Sequence, residues 1–303
     1  MTNSLQPVRQ ALGRILRGKD AVVDLALATF FSGGHLLLEG SPGTGKTRLA
    51  KGMAAIFGGS FKRLQMTSDL LPSDVVGVLR LNPDQHEFEF RPGPIFTHFL
   101  LADELNRTSP KTQSALLEAM AEGTVTVDGL THRLPDPFFV VATQNPIESH
   151  GVYPLAESQL DRFTALVTVD APEREAELEI YQDTRAQSEA LPKLMDLEEV
   201  RAMRARVAQT HLEQSVLEYG LDLVRATRAP ECHGVSVRGG LQFLEAGKAL
   251  ATLRGRDFVS PEDLRELAIP VLAHRVSRID EEWDSAQKRE WIESALQKVK
   301  APR

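Results

Sequence analysis

Residues 40–47, GSPGTGKT, constrain this chain more than any other part of its sequence. They match the pattern GxxxxGK[ST], a loop whose backbone N–H groups surround a polyphosphate. An apolar run at residues 35–39 precedes the loop, and a helical pattern follows from residue 48 until two glycines at 58 and 59. The order strand, glycine-rich loop, helix indicates a nucleotide-binding loop rather than a chance glycine-rich turn.

Each fixed position of this phosphate loop has a physical task. Gly43 and Gly45 keep side chains away from the phosphates, and the dipole of the following helix adds positive potential. Lys46 is expected to contact the β- and γ-phosphates, and Thr47 to bind Mg²⁺. We therefore predict that ATP and Mg²⁺ bind here, with these contact residues: Gly40, Ser41, Pro42, Gly43, Thr44, Gly45, Lys46, Thr47 and Arg48.

Strand and helix signals alternate along the first part of the chain. Apolar runs typical of buried strands recur at residues 99–102 and 138–143, and a helix is predicted from Ser109 to Met120, ending before Gly123. This alternation predicts an α/β P-loop NTPase fold, with a parallel sheet that carries helices on both faces. From about residue 190 only capped helices are predicted, so we expect a core at 1–190 and a smaller all-α lid domain at 191–303.

Two carboxylates, Asp103 and Glu104, directly follow the apolar strand at residues 99–102. Ligands of open parallel sheets bind at the carboxyl ends of the strands. We therefore expect Asp103 to bind Mg²⁺ together with Thr47, and Glu104 to be the catalytic base that polarises the attacking water. The alternative is a pair of solvated acids before a helix.

Asn145 follows the apolar strand at residues 138–143. The end of this strand should lie beside the phosphate loop, where an uncharged amide can contact the γ-phosphate or the attacking water. We predict a catalytic role for Asn145. The alternative is a turn residue before Pro146.

Two stretches interrupt the alternating pattern. Residues 67–95 contain prolines, glycines and short alternating pieces such as 86–90, which predicts an insertion with hairpin character. At residues 124–134, two short runs flank Asp128 and Gly129, a dipeptide typical of two-residue hairpin turns. A second inserted hairpin is therefore expected.

The charge balance argues against nucleic acid and membrane partners. The 35 basic and 42 acidic residues leave a net charge of -7, which supplies no overall attraction to nucleic acid or anionic lipid. Neither a signal-like segment nor an apolar run of membrane length is found, so we expect a cytoplasmic protein without membrane insertion. The single cysteine, Cys232, excludes an intrachain disulfide and a cysteine-cluster metal site.

Several motifs in a fixed order resemble the MoxR family of AAA+ ATPases. They are GSPGTGKT, LLADELNR followed by PKTQSALLEAM, ATQNPIE, YPLAESQLDRF, GVSVRGG, LRGRDFVSPEDL and VLAHRV. The resemblance spans roughly residues 10–280. One departure is Val237, which stands where the family commonly has proline.

This resemblance implies a homo-oligomeric ring, usually a hexamer, with ATP between neighbouring subunits. It implies that Arg162 in LDRF is an arginine finger supplied to the next subunit, where a guanidinium offsets charge on the transferred phosphoryl group. It also implies that Arg238 is a sensor 2 arginine reaching the γ-phosphate of its own subunit. The two insertions match the family's helix 2 insert and pre-sensor hairpin. Arg107 is either an intersubunit contact or part of a structural salt bridge.

The function implied by the resemblance is ATP-driven, chaperone-like remodelling or maturation of partner proteins, often with a protein that bears a von Willebrand factor A domain. A magnesium chelatase or Rubisco activase-like ATPase subunit is the nearest alternative. A nucleic-acid motor is disfavoured by the net charge and by the lack of a basic segment interleaved with aromatic residues. A guanine-nucleotide switch is disfavoured because the sequence NKxD is absent.

Overall fold

The structure is a computed structural model and describes residues 5–41, 43–82, 86–145, 151–182 and 191–302. Its strands are β1 Leu36–Glu39, β2 Phe61–Gln65, β3 Gly77–Asn82, β4 Glu87–Pro92, β5 Phe99–Asp103, β6 Thr124–Val127, β7 Leu130–Arg133, β8 Phe139–Gln144, β9 Ala165–Thr168, β10 Cys232–His233 and β11 Ser277–Arg278.

The α-helices are α1 Gln6–Ile15, α2 Asp20–Phe31, α3 Lys46–Ile56, α4 Pro72–Val76, α5 Pro110–Glu122, α6 Glu157–Leu160, α7 Arg174–Gln182, α8 Leu197–Ala208, α9 Gln214–Ala226, α10 Val237–Leu253, α11 Pro261–Leu272 and α12 Ser285–Lys298. Short 3-10 turns occupy Leu105–Arg107 and Ala273–Arg275. Among the described helices, none has both the length and the apolar character needed to cross a membrane.

The centre of the molecule is a five-stranded parallel sheet in the order β2-β5-β8-β1-β9. The strands β1, β5 and β8 are almost wholly buried, as expected for a parallel sheet covered on both faces. Phe30 of α2 packs among the rings of Phe57, Phe99 and Phe139. Because the strands are parallel, their last residues lie at the same edge of the sheet, namely Glu39, Asp103 and Gln144. The predicted α/β fold is confirmed.

Both predicted insertions contain hairpins. In the stretch 67–95, α4 precedes the antiparallel pair β3 and β4, and at 124–134 the pair β6 and β7 turns at Asp128 and Gly129. Both turn residues have positive φ, as a two-residue hairpin of this type requires. The rings of Phe90 in β4 and His132 in β7 stack with centroids 3.8 Å apart, so the two hairpins contact each other.

The part of the chain after residue 190 is mainly helical, with one departure from the all-α prediction. β10 and β11 form a two-residue antiparallel ladder. Strands this short contain no alternation that a sequence pattern could reveal. These helices begin at capped positions as predicted, and two of them have capping boxes, at Asp196 and at Ser260.

The hydrophobic core continues from the sheet into these later helices. A single buried cluster includes residues of α1, α2 and α3 together with residues of α8 to α11. Arg204 of α8 donates to the Phe30 carbonyl at 2.8 Å, and its guanidinium lies 4.8 Å from the centre of the Phe30 ring. The expected boundary between residues 190 and 191 adjoins residues 183–190, which lie outside the described part of the chain.

Candidate nucleotide-binding site

The phosphate loop connects β1 to α3 through glycines in left-handed conformations. Gly43 and Gly45 have φ of 85° and 95°, and Gly45 is the residue immediately before α3. A Cβ atom added to Gly45 would lie 2.7 Å from Cδ1 of Leu16. Glycine therefore suits this position both because of its left-handed backbone and because a side chain would crowd Leu16. Pro42 lies outside the described residues.

The side chain of Lys46 is held against the phosphate loop by two backbone carbonyls of that loop. Its Nζ donates to the carbonyl oxygens of Gly40 at 2.6 Å and Ser41 at 2.9 Å. Partial burial lowers the pKa of Lys46, and the nearby carboxylates of Asp103 and Glu104 oppose this shift. The ammonium group is therefore positioned at the loop, where the oxygen atoms of a polyphosphate would replace the two carbonyls.

A cleft of about 310 Å³ brings most of the predicted site residues together. The predicted residues that line it are Gly40, Gly43, Thr44, Gly45, Lys46, Thr47, Arg48, Asp103, Glu104 and Asn145. Arg63, Thr143 and Gln144 also line it, although the sequence pattern did not single them out. Ser41 is not a lining residue and takes part through its carbonyl.

Asp103 at the end of β5 has a partner on each carboxylate oxygen. Thr143 Oγ1 donates to Oδ1 at 2.6 Å. Arg63 donates to Oδ2 from Nε at 3.0 Å and from Nη2 at 2.5 Å. The hydroxyl and the guanidinium therefore fix the orientation of this carboxylate inside the cleft.

Glu104 has a backbone conformation that is uncommon for a residue with a side chain. Its φ and ψ are 58° and 51°, in the left-handed region, and its N–H donates to Thr143 Oγ1 at 2.9 Å. Its Oε2 accepts from Gln65 Nε2 at 2.6 Å and from Arg107 Nη1 at 3.3 Å. Such conformations persist where surrounding contacts stabilise them, and they are frequent at functional sites. Arg107 thus forms an ion pair with the predicted base.

Strand pairing explains why Arg63 and Gln65 reach successive acids. They are two residues apart on β2 and therefore point to the same face of the sheet. Gln65 pairs in register with Asp103 of the neighbouring strand. Residues 61–65, FKRLQ, give only a weak strand signal, and the pattern does not tell which strand will pair with this one.

The residues present suit Mg²⁺. Thr47 supplies a hydroxyl and Asp103 a carboxylate, and both line the same cleft. Oxygen ligands of this kind are those that Mg²⁺ prefers. Within the described residues, no group of three or more histidine, cysteine, aspartate or glutamate side chains forms a separate metal site.

Arg162 and Arg238 are described residues, yet neither lines the cleft of its own chain. Arg162 Nη1 donates to the Leu117 carbonyl at 3.1 Å. Arg238 is exposed in the first turn of α10, and Ser236 before that helix donates to Asp161 at 3.0 Å. Asp161 therefore joins the segment that carries Arg162 to the helix start that carries Arg238. The contact of Arg238 with the γ-phosphate of its own subunit stays a prediction.

A second, larger cavity of about 600 Å³ adjoins the cleft and shares Gln144 and Asn145 with it. Its walls come from α2 and β9 on one side and from α11 and α12 on the other. Asn145 thus borders both the phosphate loop and the contact between the sheet and the later helices.

Comparison with known proteins is consistent with this geometry. Residues 35–165 match the family described as "ATPase family associated with various cellular activities (AAA)", and residues 221–294 match the AAA lid domain. The chain is 44% identical to the uncharacterized protein YeaC of Bacillus subtilis, covering 96% of this chain and 92% of that protein.

A curated chaperone and a solved ATPase structure are also similar to this chain. The chain is 39% identical to Chaperone MoxR1 of Mycobacterium tuberculosis, over 87% of this chain and 73% of that protein. The crystal structure of a candidate ATPase from Cytophaga hutchinsonii superimposes with a TM-score of 0.88 at 34% identity, covering 99% of this chain and 96% of that one.

Proposed function

Because the chain belongs to the MoxR family of AAA+ ATPases, we propose that it hydrolyses Mg²⁺-bound ATP at the phosphate loop and uses the energy for chaperone-like remodelling of partner proteins. The observation that carries this proposal is the position of Glu104. Its carboxylate lies in the same cleft as Lys46 and Asp103, and its backbone is held by Thr143.

The proposed reaction divides its tasks among the residues of the cleft. The loop N–H groups and Lys46 bind the phosphates, and Thr47 and Asp103 hold Mg²⁺. The metal offsets negative charge on the phosphates. Glu104 accepts a proton from the attacking water, and Asn145 positions that water or the γ-phosphate through its amide.

We propose that two arginines complete the site from a neighbouring subunit. Arg162 and Arg238 are absent from the described residues that line their own cleft. Arg162 follows Asp161 directly, and Arg238 lies two residues beyond Ser236, which donates to Asp161. A guanidinium supplied by another subunit can stabilise charge on the transferred phosphoryl group. This supports a ring, for which we propose six subunits. In this ring we propose that Arg238, like Arg162, contacts the neighbour's nucleotide.

The partner is proposed from the family alone. A chaperone-like member is expected to act on a protein client, and we propose an adaptor with a von Willebrand factor A domain. Movement of the later helices against the sheet would transmit the nucleotide state, because the two parts enclose the larger cavity, which shares Asn145 with the nucleotide cleft.

Two substitutions test the hydrolysis. Lys46→Ala should lose nucleotide binding, whereas Glu104→Gln should retain ATP and lower turnover about 100-fold or more. Glu118→Gln, the same change at an exposed position of α5, is the control and should leave both unchanged. Normal turnover by Glu104→Gln would contradict the assignment of the base. Equal turnover of GTP and ATP would contradict the preference for adenine.

The same variants test the partner. Immobilised Glu104→Gln with ATP should retain the client and a protein with a von Willebrand factor A domain, and Lys46→Ala should not. Identification of the retained proteins by mass spectrometry reads out the difference. Identical protein sets on both variants would contradict nucleotide-dependent partner binding.

A further inference from the structure

Arg63 is the one basic residue on β2 that reaches the carboxylate assigned to Mg²⁺, since Lys62 points to the opposite face. Its guanidinium donates from two nitrogens to Oδ2 of Asp103, at 3.0 Å and 2.5 Å. The Asp103 side chain is 13% exposed, whereas that of Arg63 is 52% exposed. The carboxylate is thus fixed in the cleft, while the arginine approaches it from the solvent side.

The remaining contacts of Asp103 leave Oδ2 as the atom over which Arg63 and a metal ion would compete. Oδ1 already accepts from the Thr143 hydroxyl at 2.6 Å, and that hydroxyl also holds the Glu104 N–H. Lys46, another cation of the cleft, donates to the Gly40 and Ser41 carbonyls. Arg63 therefore neutralises the carboxylate from the position where a cation fits.

We propose that Arg63 is an internal competitor of Mg²⁺ for Asp103. It stabilises this carboxylate beside the neighbouring Glu104 when no metal is bound, and it releases the carboxylate when Mg²⁺ and nucleotide arrive together. Because the pair is exposed on one side, the competition is weak enough to be reversed by a divalent ion. This inference rests on the proposed function, since it assumes that Asp103 binds Mg²⁺.

The consequence is a measurable coupling between Mg²⁺ and nucleotide. Without metal, Arg63 shields the phosphates from the Asp103 charge, and with metal it no longer contacts the carboxylate. Removing Arg63 should therefore weaken nucleotide binding in EDTA. It should also increase the factor by which Mg²⁺ tightens nucleotide binding. Mg²⁺ changes the affinity for nucleotide by the same factor by which nucleotide changes the affinity for Mg²⁺, so the order of addition does not matter.

The experiment measures the Kd of a fluorescent ATP analogue in EDTA and in Mg²⁺, with Glu104→Gln as the background that prevents turnover. The ratio of the Kd in EDTA to the Kd in Mg²⁺ should be about threefold to tenfold larger in Arg63→Ala than in the background alone. Lys62→Ala is the matched control, because it removes the same charge from the adjacent exposed residue of β2. Its ratio should equal that of the background.

An unchanged or smaller ratio in Arg63→Ala would overturn the inference. A smaller ratio would mean that Arg63 assists the bound nucleotide instead. If the background protein itself shows no effect of Mg²⁺ on nucleotide binding, the proposed function fails rather than the role of Arg63. Arg63→Lys, which keeps the charge without the two-nitrogen contact, should give an intermediate ratio and serves if Arg63→Ala does not fold.

Discussion

Thr143 illustrates how much of the site depends on one small side chain. Its hydroxyl donates to Asp103 Oδ1 at 2.6 Å and accepts the Glu104 N–H at 2.9 Å. A hydroxyl can do both at once, because it has one donor and two lone pairs. Thr143 is 1% exposed, so water has little access to replace either contact. The residue therefore orients the carboxylate proposed to bind Mg²⁺ and the backbone of the proposed base together.

Thr143→Val should test this role, because valine has nearly the same shape without the hydroxyl. We expect turnover to fall about tenfold to 100-fold, since a small displacement of reacting groups has effects of that size. The Kd for nucleotide should change much less, because the phosphate loop is untouched. Thr143→Ser, which restores the hydroxyl, should regain most of the turnover. Wild-type turnover in Thr143→Val would show that neither hydrogen bond is needed.

At the scale of elements, His35 connects three parts of the core. It precedes β1, its Nε2 donates to the Met120 carbonyl of α5 at 3.1 Å, and its Nδ1 accepts from the Val140 N–H of β8 at 3.1 Å. This pair of bonds requires the neutral ring, because a protonated Nδ1 cannot accept. Burial lowers the pKa of His35 to about 4. The side chain thus stays neutral in the folded protein at a pH where it is protonated when unfolded.

The shifted pKa predicts acid sensitivity. The unfolded histidine takes up a proton near pH 6.5, whereas the folded one does so only near its pKa of about 4. The free energy of unfolding should therefore be level above about pH 6.5 and fall between there and pH 4, by up to about 3 kcal/mol from His35. Burial also lowers the pKa of His274, and its contribution has the same sign.

Urea unfolding of the wild type and of His35→Gln between pH 7.5 and 4.5 checks this contribution. The difference in unfolding free energy between the two proteins should narrow as the pH falls, because only the wild type loses stability through His35. His233→Gln, at an exposed histidine, should follow the wild-type curve. Parallel curves for wild type and His35→Gln would show that His35 does not cause the acid loss.

At the scale of the whole molecule, the contact between Asp161 and the later helices determines where both arginines lie. Arg275, which is almost fully buried, donates to Asp161 at 2.9 Å, and Ser236 donates to the same carboxylate. Arg162 follows Asp161 directly, and Arg238 lies two residues beyond Ser236. The packing of the lid thus places the start of α10, which carries Arg238, against the segment that carries Arg162.

Mixed assemblies test whether these arginines act on a neighbour. Arg162→Ala and Arg238→Ala should each lower turnover, because the site of the next subunit lacks a guanidinium. Adding Glu104→Gln subunits, which have no base but both arginines, should restore part of the turnover in either case. Steady-state ATP hydrolysis over a range of mixing ratios is the measurement. Recovery with Arg162→Ala but not with Arg238→Ala would place Arg238 in the site of its own subunit.

The sequence by itself determined the local features of this protein. The phosphate loop, the strand that ends in Asp103 and Glu104, the hairpin turn at Asp128 and Gly129 and the helix caps all agree with the structure. Each depends on interactions among residues that are close in the chain, such as a backbone N–H and a side chain three positions away, so a pattern of neighbouring residues is sufficient to indicate it.

Only the tertiary structure decided which distant residues meet. Arg63 and Asp103 are 40 positions apart, and they meet because β2 pairs with β5. His35 contacts a strand 105 positions away, and the placement of Arg238 follows from the packing of the lid on Asp161. Strand order and lid packing are set by burial of apolar surface, which does not depend on the order of residues along the chain. A motif therefore indicated the two candidate acids, and the fold alone supplied the residues that contact them.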